Sequence, residues 1–308
     1  MDKTKAKCTA MLFITAFIWG TAFVSQSKSM DYMSPFTFMA ARNILAVLFL
    51  LPVVIYRLKK GSINVKQTLK GGICCGIALV VADFFQQYGI TMTSVGKTGF
   101  ITTLYIIFTP ILGVFLHKKV EPKVWVCALI SVVGLYLICV NENDFSINKG
   151  DILVFVCAIL FAVHILVIDC FKGEADGVAM SCVQFFVCFV LCTGLSLITD
   201  KPTASQLKDG IIPILYAGIL SSGIGYTFQT LGQRGVNSTV AALILSLESV
   251  AAAVSGYAAF KLGILTTNQT LTLRQIVGCV IVFVAVIIVQ LPNVKFMGGK
   301  VKSDSLCR

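Results

Sequence analysis

Charge is scarce in this chain: 13% of its 308 residues are Asp, Glu, Lys or Arg, about half the share of an average soluble domain. That excludes a soluble exterior for the chain as a whole. Histidine occurs only as His117 and His164, far apart, and no Cys-x-x-Cys pair exists among the 12 cysteines. A metal site is therefore not expected. Most cysteines (Cys74, Cys75, Cys127, Cys139, Cys157, Cys182, Cys188, Cys192 and Cys279) fall inside apolar runs. There they act as small hydrophobes, not as a disulfide framework. No phosphate-cradling glycine loop and no nucleophile–base pair is present, so neither a cofactor nor enzymatic chemistry is expected. Ser/Pro-rich linkers are missing too, which points to one membrane domain.

What fills the chain instead is apolar. Hydrophobic residues make up 57% of it, and the mean hydropathy is +0.89. A bilayer core about 30 Å thick asks for about 20 apolar residues per helix. Ten such runs predict ten transmembrane helices near 9–27, 33–55, 70–91, 95–117, 122–140, 151–169, 178–198, 210–232, 238–260 and 274–291. The runs are continuous, whereas a β-barrel would show short alternating segments. The fold expected is an all-α integral membrane bundle. Lys3, Lys5 and Lys7 ahead of the first run resemble a signal peptide, but Phe23-Val24-Ser25-Gln26 offers no small-x-small cleavage site. The first run is therefore read as a retained helix.

The net charge of +11 invites a nucleic-acid reading, but its placement follows topology. With the N-terminus cytoplasmic, the inside segments of the first half hold Lys3, Lys5, Lys7, Arg57, Lys59, Lys60, Lys66, Lys70, Lys118, Lys119 and Lys123. The outside segments hold Lys28, Lys97 and Lys149. That bias predicts both termini cytoplasmic, and the second half is nearly balanced. The partners expected are the lipid bilayer, anionic lipid included, and a small-molecule substrate. No nucleic acid is expected, and a homodimer is left open.

The chain is also written twice. At an offset of about 143 residues, Phe85/Phe228, Gln86/Gln229, Gly89/Gly232, Ile101/Ile244, Leu104/Leu247, Gly113/Gly256 and Lys118/Lys261 fall in register. Each copy holds five spans, an odd number, so the second copy runs inverted through the membrane. The expected architecture is two inverted five-helix repeats, 1–145 and 146–308, the second ending in a short basic tail. Such repeats place a substrate site near the midplane between the halves. The segment from Gly263 to Thr270 has no counterpart in the first half. It reads as a tolerated loop insertion or as part of an external entrance.

Ionisable groups within spans are costly and normally face a bundle interior. Here they are Arg42, Asp83, Lys97, His164 and Glu248. Arg42 suits either an anionic group or a structural ion pair. Asp83, Gln86 and Gln87 share a helical face, as do Ser222, Tyr226, Gln229 and Gln233 in the second copy. These stripes fit a shared cavity or a polar helix seam. Lys97, followed by the hydroxyl stripe Thr98, Thr102, Tyr105 and Thr109, sits where it can attract an anion or snorkel to water. Glu248 matches Tyr105 of the first copy. It can carry a proton, bind an amine or pair within the structure. Trp19 shares a face with Thr15, Ala22 and Gln26 and is placed too deep for an interfacial anchor. His164 reads as a hydrogen-bonded core residue. Pro110 and Pro213 are expected to bend or break their helices, and Gly72-xxx-Gly76 to pack closely.

The order of these motifs is familiar: WGTAF in the first span, Arg42 in the second, SVGKTGFITTLYIIFTP in the fourth and AALILSLESV in the ninth. With the tandem layout, the chain resembles the drug/metabolite transporter superfamily, specifically its EamA-type ten-helix bacterial members. The resemblance implies a multi-pass protein of the bacterial plasma membrane. Its central cavity would be formed mainly by helices 1–4 and 6–9, with helices 5 and 10 peripheral. It also implies a secondary transporter, commonly an exporter, of amino acids, related metabolites or drug-like compounds by alternating access. Trp19, Arg42, Lys97 and Glu248 fall on family motifs. With Asp83, Gln86, Tyr105, Tyr226 and Gln229 from the stripes, they form the expected substrate-binding set. In the family the ninth helix usually reads Leu-Glu-Pro. Ser249 stands in place of that proline, which predicts a straighter helix. The alternatives are a facilitative exchanger without ion coupling and, from other classes, a membrane-embedded enzyme or a sensor.

Overall fold

The computed structural model describes residues 3–139, 147–265 and 271–291, and every regular element among them is helical. Ten spans follow one another: α1 (Lys3–Ser29), α2 (Pro35–Lys59), α3 (Val65–Gly89), α4 in two pieces (α4a, Val95–Thr103; α4b, Tyr105–Phe115), α5 (Pro122–Cys139), α6 (Lys149–Phe171) and α7 (Gly177–Thr199). Then come α8, which runs from Ile211–Leu215 through Tyr216–Tyr226 to Thr227–Gly232, α9 in two pieces (α9a, Ser238–Leu245; α9b, Glu248–Lys261) and α10 (Leu273–Gln290). Among the described residues nine spans are long and apolar enough to cross a membrane, and α5 is a shorter apolar helix. The outer surface carries Phe17, Leu48, Phe115, Phe186, Ile198 and Val280 exposed, an apolar belt that only lipid covers comfortably. The basic tail and residues 266–270 of the unmatched insertion lie outside the described residues.

Local chemistry starts the helices. Asn64, Ser94, Asn148, Asp176, Asn237 and Thr272 each accept a backbone N–H in the first turn of the helix they precede, satisfying donors that have no partner inside the helix. Ser94 and Asn237 occupy equivalent positions in the two copies. Small residues set the close approaches. A Cβ at Gly72 or Gly76 would meet Val183 or Val187 of α7 at 2.5 and 2.8 Å, and one at Gly134 would meet the Gly278 carbonyl at 2.8 Å.

The packing respects the repeat. α2 lies on α7 and α5 on α10; α3 packs on α6 and α7, while α8 packs on the corresponding α1 and α2. Likewise α4 packs on α6 as α9 packs on α1. Exchanging the halves maps this set of neighbours onto itself. Because each half has five spans, the exchange also inverts the direction of crossing.

Three irregularities depart from the sequence-based expectations. α4 breaks at Leu104, not at Pro110, which sits inside the regular helix α4b. Pro213 falls in the first turn after Gly210, where a missing N–H costs little. The distortion of α8 lies beyond it, as a π-helix over Tyr216–Tyr226, a rare widening that recurs at functional sites. The ninth helix is not straighter for lacking its proline: it breaks at Ser246–Leu247, directly before Glu248. Hydroxyls take up the freed carbonyls there. Ser246 Oγ donates to Leu243 O and Ser249 Oγ to Ser246 O, both at 2.7 Å. The breaks in α4 and α9 fall on the equivalent residues Leu104 and Leu247.

Candidate functional site

The two broken helices turn Tyr105 and Glu248, each the first residue after its break, toward one enclosed cavity. Trp19, Phe23 and Gln26 from α1, Arg42 from α2, Gln86 from α3 and Thr102 from α4a line the same space. Phe161 of α6 and Ser221 and Tyr226 of α8 complete it, and neither α5 nor α10 contributes. Both halves of the chain therefore supply walls. The cavity measures about 20 Å³, room for about one water molecule. A space of that size holds no metabolite.

Its polar groups are deeply buried and incompletely paired. Arg42 is ion-paired to Asp83 through its Nη2, with side chains 3% and 1% exposed. The second Asp83 oxygen and Arg42 Nε have no hydrogen-bond partner. Glu248 is 3% exposed, and its Oε1 also lacks a donor. The Tyr105 hydroxyl faces the Glu248 carboxylate. Gln86 Nε2 donates to Thr102 Oγ1 at 3.1 Å. Buried polar atoms are normally satisfied by protein or water. A cluster of unsatisfied ones around a cavity marks a place for a polar guest.

Aromatic rings form the other wall. Trp19 and Tyr226 lie with ring centroids 4.4 Å apart, and Trp19 Nε1 donates to Ser221 O at 3.3 Å. That carbonyl belongs to the π-helical stretch. Gly225 makes the approach feasible, since a Cβ there would lie 2.7 Å from Trp19 Nε1. Gly20, the next residue on α1, lets α9b in: its Cβ would lie 2.3 Å from that of Ala251 and 2.4 Å from the Glu248 carbonyl. The two glycines thus seat Trp19 between α8 and α9.

Of the nine expected site residues, Trp19, Arg42, Gln86, Tyr105, Tyr226 and Glu248 line the cavity. Asp83 stands behind Arg42. Gln229 is buried on α8 but does not reach the cavity, and its Oε1 has no partner. Lys97 lies elsewhere, at the face opposite the start of α1, with its Nζ 3.6 Å from Asp151 Oδ2. Thr93 Oγ1 donates to the other Asp151 oxygen at 2.6 Å, so Asp151 ties α6 to the start of α4. At the far end of the same two helices Lys118 pairs with Asp169. His164 is buried, with Nε2 3.2 Å from Gln184 Oε1 and its ring edge-on to Tyr226. Gln26, on the Trp19 face, and Thr102, on the hydroxyl stripe, also line the cavity outside that set, and Phe23, Phe161 and Ser221 were not expected in the lining. Phe23 follows Trp19 by four residues, a helical spacing that was available as a signal. The other two carry none. A second recess of about 310 Å³ opens at the face where α1 begins, with Lys5, Lys119 and Lys123 in its walls. It shares no residue with the closed cavity.

The Lys97–Asp151 contact joins the two halves at one membrane face. Lys97→Met should loosen it, raising modification of a cysteine introduced at Thr102 by a membrane-impermeant thiol reagent about threefold, in a protein otherwise stripped of cysteine. An unchanged rate would remove any latching role for this pair.

A membrane bundle of paired halves closing on one polar, aromatic-walled cavity is the architecture of a transporter. The EamA-like transporter family matches this chain twice, over residues 6–140 and 148–291, and the chain belongs to that family. It is 30% identical over 282 residues to an uncharacterized transporter of Archaeoglobus fulgidus, spanning 91% of this chain and 84% of the relative. A WAT1-related chloroplastic protein of Arabidopsis thaliana is 24% identical over 292 residues, 90% of this chain and 68% of the relative. A solved crystal structure shares the fold, with a TM-score of 0.72 and 14% identity, covering 92% of this chain and 96% of the other. The protein is thus a multi-pass membrane transporter of the drug/metabolite type.

Proposed function

We propose that the protein is a secondary transporter that exports a small metabolite, such as an amino acid or a drug-like compound, by alternating access. On this reading it lies in the bacterial plasma membrane with both termini cytoplasmic, and residues 1–145 and 146–308 act as inverted repeats. Trp19, Arg42, Gln86, Tyr105, Tyr226 and Glu248 contact the substrate, and Asp83 acts through Arg42. Lys97 belongs to closure of one face, and Gln229 joins the site only in a more open state. Glu248 carries the coupled proton.

The observation that carries this reading is the cavity itself, walled by both halves and shrunk to about 20 Å³. A volume that holds no metabolite requires the halves to move before anything binds. The paired neighbours of the two copies supply a symmetric way to do so. Charge bias supports the orientation: Lys59, Lys60, Lys118, Lys119 and Lys123 sit at the helix ends on the face where α1 starts.

Untargeted metabolomics on cells with and without the chain tests the proposal. At least one small metabolite should accumulate outside expressing cells and fall inside them, and Trp19→Ala should abolish the difference. Identical profiles, or a difference that survives Trp19→Ala, would count against it. Accumulation inside instead would reverse the direction.

A further inference from the structure

The second recess, at the face where α1 begins, gathers positive charge that the fold does not answer. Lys5 of α1 and Lys119 and Lys123 around the start of α5 stand in its walls, against one carboxylate, Glu121. Between helices elsewhere, lysines meet aspartates: Lys97 pairs with Asp151, and Lys118 and Lys172 with Asp169. None of the three recess lysines has an ion-pair partner among the described residues. At the opposite face, the equivalents of Val240 and Cys8 are Lys97 and Asp151, so that corner is neutralised within the protein. Topology explains lysines at this face. It does not explain their placement around a space of about 310 Å³, roughly ten times the share of one water molecule in the liquid.

The remaining walls suit an anion with an apolar attachment. Thr9 and Thr239 line the recess and are 7% and 3% exposed. Their hydroxyls have no hydrogen-bond partner among the described residues, whereas buried hydroxyls are normally paired. Two donors are thus available to an acceptor inside the recess. Thr239 lies in the first turn of α9a, where the helix end adds partial positive charge. Val124 of α5 and Val289 of α10 give the recess an apolar side. These two helices take no part in the central cavity, and α10 carries Val280, Phe283 and Ile287 exposed along the lipid-covered surface. The recess therefore lies where a helix that faces lipid reaches its end, at the level of lipid headgroups. The chain that follows Leu291 carries Lys295, Lys300, Lys302 and Arg308 against Asp304, which does not make it a competing anion.

We propose that this recess binds a phosphate group, carried by an anionic phospholipid of the adjoining leaflet or free in solution. Lysines hold phosphate as compact point charges, and the two hydroxyls donate to its oxygens. Because α1 and α5 belong to one half and α9a and α10 to the other, the bound anion bridges the halves at this face.

The test uses the full chain purified in detergent, with native mass spectrometry counting bound phosphatidylglycerol and phosphatidylcholine. Phosphatidylglycerol should bind at least about tenfold tighter, and more weakly as salt is raised. Lys5→Gln with Lys119→Gln and Lys123→Gln should remove that preference, while the same three positions changed to arginine should keep affinity within about threefold. Lys59→Gln with Lys60→Gln and Lys66→Gln removes equal charge outside the recess and should change affinity by less than about twofold. Displacement of the lipid by inorganic phosphate supports the site with a soluble ligand; binding that resists phosphate supports it with the lipid. Equal affinity for the two lipids without phosphate binding overturns the proposal. So does an equal loss in the two glutamine variants, which would reduce the effect to general surface attraction.

Discussion

Arg42→Met should lower the unfolding temperature of the purified protein by on the order of 10 °C, and Asp83→Asn by roughly half as much. Both side chains are almost wholly buried and bonded to each other. Removing one partner of such a pair leaves a charge that neither water nor protein compensates, at a cost of about 3–5 kcal/mol. The two substitutions differ in what they leave behind. Without Arg42, Asp83 behind it and Glu248 in the cavity remain as two buried carboxylates, and among the described residues no other cationic side chain lines the cavity. Without Asp83, Arg42 can turn toward Glu248, which lines the cavity with it, and part of the loss is recovered. Replacing both, as Arg42→Met with Asp83→Leu, should restore most of the stability, because a buried ion pair exchanged for apolar groups of similar volume is often neutral. Thermal unfolding followed by intrinsic fluorescence measures all three. Equal losses in the two single variants, or no recovery in the double, would show that the pair does not behave as an isolated buried charge balance.

Most of this architecture was legible in the sequence because bilayer thickness dictates a simple ruler. Apolar runs of about 20 residues found all ten helices, and the 143-residue register found their pairing. The candidate cavity was legible for a related reason: a charge inside a span has few places to go. Arg42, Asp83 and Glu248 were recognisable by cost alone, and two of the three line the cavity while the third holds Arg42. Local helix geometry was less accessible. Prolines were expected to mark the distortions, yet the breaks fall at Leu104 and Ser246–Leu247 and the π-helix at Tyr216–Tyr226. The π-helix accompanies packing between helices, where Thr15 Oγ1 and Trp19 Nε1 donate to the carbonyls of Gly225 and Ser221, and no local propensity announces that. Lys97 misled for a similar reason. Its partner Asp151 lies in the other half, and sequence spacing gives no hint of the contact.

Differences between the copies matter more than identities. The α4–α6 seam is tied by ion pairs at both membrane faces, Lys97 with Asp151 and Lys118 with Asp169. At the 143-residue offset the corresponding positions of the α9–α1 seam are Val240 with Cys8 and Lys261 with Gln26, which cannot form ion pairs. That seam is packed instead through Gly20, Ala251 and Ala252. Small residues permit sliding that salt bridges resist. Trp19 and Glu248 sit on its two sides, so relative motion along it would change the cavity directly.

Substrate-driven proton movement should disappear in Glu248→Gln, while exchange of substrate across the membrane persists at saturating concentration. The reason lies in what glutamine keeps and loses. It preserves the shape of the first turn of α9b, the packing against Gly20 and a polar group facing Tyr105. It cannot take up or release a proton. A transporter whose coupling runs through this carboxylate would therefore become an uncoupled exchanger. In proteoliposomes loaded with a pH-sensitive dye, the parent should acidify or alkalinise the lumen when the substrate found by metabolomics is added outside. Glu248→Gln should stay at background while counterflow of labelled substrate continues, slowed by weaker binding. Tyr105→Phe, which alters the equivalent position of the first copy, should slow coupled flux several-fold without abolishing it, since a hydroxyl facing the carboxylate tunes proton affinity but does not carry the proton. Undiminished proton flux in Glu248→Gln would sink the coupling role and favour a facilitative exchanger. The cavity asymmetry makes the prediction specific: of the two residues that follow the matched helix breaks, one is a carboxylate and the other a phenol, and only the first gives up a proton readily near neutral pH.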